Sequence, residues 1–250
     1  IGTQAFFMAA SLDTVTFAEN SLLETIGDYA FRETAITSII IPASVTSIGD
    51  YAFYVCAKLA SVTFAGISTL ETIGVSAFQQ SGLISITIPA SVTEIGTQAF
   101  FMAASLDTVT FAGTSGLATI GFSAFQQTAI SSITIPASVT SIGENAFYNC
   151  ASLASVTFAG ISTLTTIGYG AFQESAITSI VIPASVTSIG DFAFYNCVSL
   201  ASVMFAANSL LETIGLNAFR WTAISSITIP LNVTSIGDAA FGDNGSLETI

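Results

Sequence analysis

Hydrophobic and polar positions alternate in short bursts along this chain, and the bursts return on a fixed beat. In Leu12-Asp13-Thr14-Val15-Thr16-Phe17, Val15 and Phe17 point one way and the hydroxyls between them the other, as in a half-buried strand. Ile39-Ile40-Ile41, followed by Pro42, reads the same way. Every strand runs on through a loop to an Ile-Gly pair. These pairs begin at Ile1, Ile26, Ile48, Ile73, Ile95, Ile120, Ile142, Ile167, Ile189, Ile214 and Ile236, in alternating steps of 25 and 22 residues. A strict internal period in this range predicts a solenoid, in which each coil buries its apolar face against its neighbours.

Two coil types alternate. Counted from strand to strand, they are 24 and 23 residues long, about ten coils forming one solenoid over residues 1–250. The phrase IPASVTSIG stands intact at 41–49, 135–143 and 182–190, and IGTQAFFMAASLDTVTFA at 1–18 and 95–112, which points to recent duplication. The glycine after each isoleucine reads as a turn that a Cβ would resist. Pro42, Pro89, Pro136, Pro183 and Pro230 sit just past a strand, where a missing N–H stops the ladder. The phenylalanine of each Ala-Phe pair, from Phe6 and Phe31 to Phe219 and Phe241, predicts one aromatic spine through the coils.

The combined pattern L-x-x-[VI]-x-[FI]-P-x-x-V-x-x-I-G-x-x-A-F-x-x-C resembles the BspA-like class of leucine-rich repeats over essentially the whole chain. The resemblance implies a right-handed leucine-rich-repeat coil with one parallel β-sheet face. The fold class expected is an α/β-type repeat solenoid, mostly β, with short helical or 3-10 turns elsewhere. The resemblance also implies an extracellular or cell-surface protein that adheres to proteins or other cells, and it carries over no catalytic residue.

Composition narrows this further. Hydrophobic residues make up 52 % of the chain and mean hydropathy is +0.78, yet no apolar run approaches the roughly 18 residues of a membrane span. The hydrophobicity is spread into stacked columns, and no transmembrane segment is expected. Only 8 % of residues are charged, so the surface is mainly Ser, Thr, Ala, Asn and Gln, which favours assembly, glycan cover or a large contact face. Sixteen acids against Arg32, Lys58 and Arg220 give a net charge of −13 and leave no basic stripe for nucleic acid. No signal peptide opens the sequence, and since residue 1 already lies inside a repeat, a leader could have been removed or simply excluded.

The candidate chemistry is sparse. There is no histidine, no phosphate-binding or dinucleotide motif, and no cofactor is implied. Cys56, Cys150 and Cys197 share one column. Cys150 and Cys197 stand two coils apart, about 9–10 Å at strand spacing, too far for a disulfide, so they read as buried core. Asp28 and Asp50 lie in adjacent coils. They read as acids capping short helical turns, with a shared calcium ion as the alternative. Asn232-Val-Thr234 and Asn244-Gly-Ser246 match glycosylation acceptors.

Two surface columns stand out. The outward strand positions make a hydroxyl grid of Thr14, Thr16, Ser61, Thr63, Ser85, Thr87, Thr108, Thr110, Ser132, Thr134, Ser155, Thr157, Ser226 and Thr228. It reads as β-propensity with hydroxyl ladders, or as a lattice that binds ice. Phe7, Tyr54, Phe101, Tyr148 and Tyr195 form an aromatic stripe in every other coil. Arg32, Gln79, Gln126, Gln173 and Arg220 stand in the coils between, and the stripe is a candidate contact face or half-buried rim packing. The chain starts at Ile-Gly and stops at Ile250, the position equivalent to Val15, out of phase with its own repeat. That suits a window cut from a longer array, or a protomer whose ends are covered by neighbours. The leading expectation is a non-enzymatic surface scaffold binding protein or surface ligands. The alternatives are a protomer stacking with further copies of itself into a filament, and an ice-binding protein.

Overall fold

In the computed structural model, which describes residues 1–249, the chain winds into an all-β solenoid of two stacked parallel sheets. Among the described residues there are ten two-residue strands, from Thr25–Ile26 to Ser235–Ile236, and eight four-residue strands, from Ser38–Ile41 to Ser202–Phe205. Each set forms its own sheet, in which every strand lies beside the equivalent strand of the next coil. Isolated bridges Thr14↔Ser38 and Ser226↔Thr249 carry the long-strand sheet into the flanking coils. Ile250, the last strand position read from the sequence, lies outside the described residues.

The aromatic spine fills the space between the sheets. From Phe6 to Phe241 each ring stacks on the next, with centroids 5.1–5.4 Å apart and planes within 14° of parallel. Phe31 through Phe219 are fully buried. The isoleucines of the short strands and the leucines before the long ones complete the core. This column of packing replaces a globular centre.

The structure corrects the expected one-sheet coil with helical turns in two respects. The Ile-Gly segment is a second ladder and not a loop: Gly49 N–H donates to Ile26 O at 2.8 Å, and Ser47-Ile48 pairs in register with Thr25-Ile26. The Ala-Phe segment is also not helical. It makes two tandem turns, Ala30 N–H to Gly27 O (3.2 Å) and Thr34 N–H to Phe31 O (3.3 Å), whose third residues Tyr29 and Glu33 have φ of 56° and 57°. A positive φ at the third position is the mark of a type II turn. It leaves the alternate N–H groups of Tyr29, Phe31 and Glu33 free to bond Asp50 O, Ala52 O and Tyr54 O of the next coil at 2.8–2.9 Å. A helix would have spent those donors within its own coil. The strain of left-handed residues is met by this third ladder between coils.

The glycine column has a different cause from the turn that the sequence suggests. None of the Ile-Gly glycines has a positive φ. A Cβ on Gly143 would lie 2.8 Å from Gly121 C and Ile120 O, and the same clash with the preceding coil's backbone recurs at Gly96, Gly121, Gly168 and Gly190. Glycine is needed here because two main chains pass too closely for a side chain.

Candidate binding face

The long-strand sheet is built of couplets. Ser38–Ile41 pairs with Ser61–Phe64 at all four positions, and Ser85–Ile88, Ser132–Ile135 and Ser179–Ile182 pair likewise with the strand that follows each. Between couplets only the first residues stay in register: Ser61↔Ser85, Thr108↔Ser132 and Ser155↔Ser179. The cause is visible one residue past the strand. Ala65 N–H donates to Ile41 O at 2.9 Å, as Ala112, Ala159 and Ala206 do to their neighbours. At the alternate interfaces that residue is Pro89, Pro136 or Pro183, which has no N–H to give to Phe64, Phe111 or Phe158.

The loops widen the gap. Phe64 to Ile73 is two residues longer than Ile41 to Ile48. The surplus bulges outward at Gly66, Gly113 and Gly160, with φ near 50°, and at Asn20 and Asn208, with φ of 60° and 58°. Serines fix the bulge from both sides. Ser68 Oγ accepts Leu70 N–H at 3.2 Å, and Ser91 Oγ of the next coil donates to Ser68 O and Leu70 O at 3.0 and 2.7 Å.

Five equivalent clefts result, one per 47-residue double coil. Each opens between a phenylalanine and the proline of the next coil: Phe17/Pro42, Phe64/Pro89, Phe111/Pro136, Phe158/Pro183 and Phe205/Pro230. Their volumes are about 590, 470, 600, 790 and 810 Å³. The five phenylalanines are only half-buried, whereas the isoleucines in the same place on the partner strands are sealed. Aliphatic side chains stand at the lips: Leu22 is 89 % exposed, Ile67 and Ile161 are each 93 % exposed, and Leu210 is 53 % exposed.

The hydroxyls of the predicted grid line these clefts. Thr16 faces the first, Ser61, Thr63, Ser85 and Thr87 the second, and Thr108, Thr110, Ser132 and Thr134 the third. Ser155 and Thr157 face the fourth, and Ser226 and Thr228 the fifth. Thr14 bridges Ser38 beside the first cleft and does not line it. The grid is uneven. Thr87 and Thr110 share a hydrogen bond of 2.9 Å within a couplet, as do Thr134 and Thr157, while the clefts separate neighbouring couplets. Sequence reading singled out the hydroxyls and missed the half-buried phenylalanines and the lips. Proline in every second coil was the available signal. It also missed a second column, hydroxyl at every position but Glu94, which runs from Thr25 and Ser47 to Thr213 and Ser235 along the short-strand sheet in unbroken register.

The aromatic stripe resolves into two clusters at opposite ends. Arg32 lies 5.3 Å from the Phe7 ring, 5.8 Å from Tyr29 and 4.9 Å from Tyr54, and pairs with Glu33 at 2.9 Å. Tyr29 and Tyr51 stack at 4.9 Å. At the other end Tyr195 packs on Phe192 and Trp221, and Arg220 lies 4.9 Å from the Trp221 ring while pairing with Asp243 at 2.6 Å. Phe101 and Tyr148 sit between the clusters, where Gln98 and Asn145 take the place of Tyr29 and Tyr51. Partial burial pushes the Tyr148 phenol up, and the Glu174 charge and hydrogen bond add to the shift.

The remaining candidates are used by the fold. Asp28 Oδ1 accepts Asp50 N–H at 2.9 Å and Asp50 Oδ1 accepts Val75 N–H at 2.7 Å, so both acids cap turns of the next coil. Among the described residues no three His, Cys, Asp or Glu side chains converge as a metal site. Asn232 Nδ2 donates to Ser209 O at 2.8 Å and Asn244 Nδ2 to Phe219 O at 3.0 Å, so both amides are engaged by the preceding coil. Cys56, Cys150 and Cys197 are free and buried. Their thiols donate to Phe31 O, Phe125 O and Phe172 O at 2.9, 3.1 and 3.0 Å. Burial pushes Cys150 and Cys197 up to about 11 from 9.0, opposed by hydrogen bonds from Thr128 and Ser175. A raised thiol pKa contributes stability in full below pH 9.0 and loses it as pH rises to about 11. Urea midpoints of the native chain should fall across that window, and the fall should shrink in Cys150→Ala/Cys197→Ala. An unchanged fall would mean that other groups cause it.

The chain is a leucine-rich-repeat solenoid by fold. It belongs to the BspA type leucine rich repeat family, whose repeat region matches in six copies over residues 1–107 and 118–248. That membership makes it a repeat scaffold rather than an enzyme. A leucine-rich repeat protein from Bacteroides ovatus is 26 % identical with a TM-score of 0.62, the match covering 91 % of this chain and 70 % of that one. The pneumococcal vaccine antigen PcpA shares the fold at 22 % identity and a TM-score of 0.63, over 90 % of this chain and 66 % of its own. A leucine-rich repeat protein of T. pallidum is 26 % identical with a TM-score of 0.56, over 66 % of this chain and 78 % of its own. No curated protein matches the sequence. Among the described residues no helix is long and apolar enough to cross a membrane.

Proposed function

We propose that residues 1–250 act as one adhesive repeat unit, displayed outside the cell, which binds protein or surface ligands through the long-strand face. The observation that carries this reading is the row of five clefts, each repeating the same phenylalanine and proline walls with hydroxyls between them, Ile40, Val181 and Met204 standing in place of a threonine in the first, fourth and fifth. Apolar concave sites with a few polar groups are the usual form of a binding site, and five in a row multiply weak contacts into avidity. The family supports the scaffold role. The uneven hydroxyl spacing favours this reading over a regular lattice.

The test fills three consecutive clefts without adding charge. Thr63→Gln/Thr110→Gln/Thr157→Gln changes outward side chains only, so its circular dichroism should match that of the parent. The parent should bind an immobilised extracellular-matrix extract saturably, and the triple variant should bind it at least about tenfold more weakly. Equal binding by the two proteins would place the contact elsewhere.

A further inference from the structure

We infer that the protein partner of the long-strand face is a second copy of this chain, packed face to face and antiparallel, with the aliphatic lips of each copy seated in the clefts of the other. The inference rests on that face being the binding face.

Order along the solenoid is the first argument. The lip residues of the five successive clefts are Leu22, Ile67, Thr114, Ile161 and Leu210, a series that reads the same from either end. The backbone beneath follows suit: the left-handed residue of each bulge is Asn20, Gly66, Gly113, Gly160 and Asn208. An antiparallel two-fold dimer needs this symmetry, because residue i of one copy meets residue j of the other while j meets i. Lips and cleft walls lie at the same end of the long strands. The two-fold axis that brings them together therefore runs along the strands, and it reverses the order of the coils. Leu22 then meets the Phe205/Pro230 cleft and Leu210 the Phe17/Pro42 cleft. Ile67 and Ile161 exchange likewise between the fourth and second clefts, and Thr114 stands near the axis. Both rows are built on one 47-residue double coil, so their spacings agree whatever the pitch or splay of the coils.

Burial, area and charge point to the same partner. Isoleucines almost wholly in water beside half-buried phenylalanine rings are the surfaces this exchange covers. The spine is ten ring-to-ring steps of 5.1–5.4 Å, about 52 Å long. Backed by strands of four residues, each about 13 Å, the face offers about 700 Å² to a partner, close to the usual interface. Two chains of net −13 approach best where carboxylates are fewest. Glu19 is the only charged residue lining the five clefts, whereas Glu24, Glu71, Glu94 and Glu212 stand exposed along the short-strand sheet. Asp13 and Asp107 stand at the far end of the long strands from the lips. Copies displayed from two facing surfaces present their solenoids antiparallel, so the same contact joins one surface to the other.

Sedimentation equilibrium of the 250-residue chain tests this. The parent should pass from monomer to dimer below about 1 mM. Ile67→Ser/Ile161→Ser alters two exposed side chains and should leave the circular dichroism unchanged. It should weaken the dimer at least about tenfold, since the two-fold counts each loss twice. Raising salt from about 50 to about 500 mM should tighten the dimer, because screening relieves the repulsion between the two acidic chains. Orientation is read with a short bismaleimide cross-linker, to which the buried native thiols are closed. Thr114→Cys should link to its own copy, Leu22→Cys should not, and Leu22→Cys should link to Leu210→Cys. Monomer throughout that range, a dimer indifferent to Ile67→Ser/Ile161→Ser or loosened by salt, or Leu22→Cys linking to itself would overturn the inference. If the chain stays monomeric while Thr63→Gln/Thr110→Gln/Thr157→Gln still loses matrix binding, the face stands as the binding face and its partner is another molecule.

Discussion

Phe125→Ala should lower unfolding free energy by about 3–5 kcal/mol, the usual range for truncating a buried aromatic. Phe125 is fully buried and stacks on Phe100 at 5.1 Å and on Phe147 at 5.3 Å. The hole cannot close, because the spacing of its coil is held by three ladders: the long strands, the short strands and the tandem turns. Phe6→Ala is the control. Phe6 is 38 % exposed and stacks on Phe31 alone, so its loss should be less than half as large. Urea titration followed by far-ultraviolet circular dichroism reads both. A central defect should also weaken coupling between the halves of the array and lower the slope of the transition. Equal losses in the two variants would show that the spine is not the continuous core.

Gly143→Ala should destabilise by about 1–3 kcal/mol or more, the cost of overpacking, although alanine at an unconstrained glycine position stabilises by about 0.4–1 kcal/mol. The sign is decided by what the new methyl meets. Both near neighbours, Gly121 C and Ile120 O at 2.8 Å, are main-chain atoms of the preceding coil, and neither can rotate away. Relief requires moving one coil off the next, which stretches the ladder between Gly143 N and Ile120 O, now 2.9 Å. At Gly245, where no heavy atom lies within 4 Å, the same substitution should be neutral or slightly stabilising. A Gly143→Ala variant as stable as its parent would refute close approach as the reason for the glycine column.

The legible parts of the fold are those that depend on one coil repeating. Val15-Thr16-Phe17 announces its strand by alternation, and Phe31 its place in the spine by recurrence. The buried thiols follow from column spacing alone. The turns were not legible: Tyr29, Val55 and Gln80 carry no common preference for positive φ, and they adopt it because their neighbours can then bond the next coil. Asp28 likewise reads as a helix cap in isolation and proves to cap the next coil's turn. For the candidate binding face, the hydroxyl positions could be read from the pattern. Their division into couplets could not, because it arises between Phe64 of one coil and Pro89 of the next.

By itself the sequence determined the repeat, the inward columns and the absence of histidine chemistry, because each is a property of residue type and spacing. Tertiary structure decided the second sheet, the helix-free turns, the reason for each glycine and the five clefts. All of these depend on distances between coils, where a main-chain donor is either matched by a neighbour or, at a proline, missing.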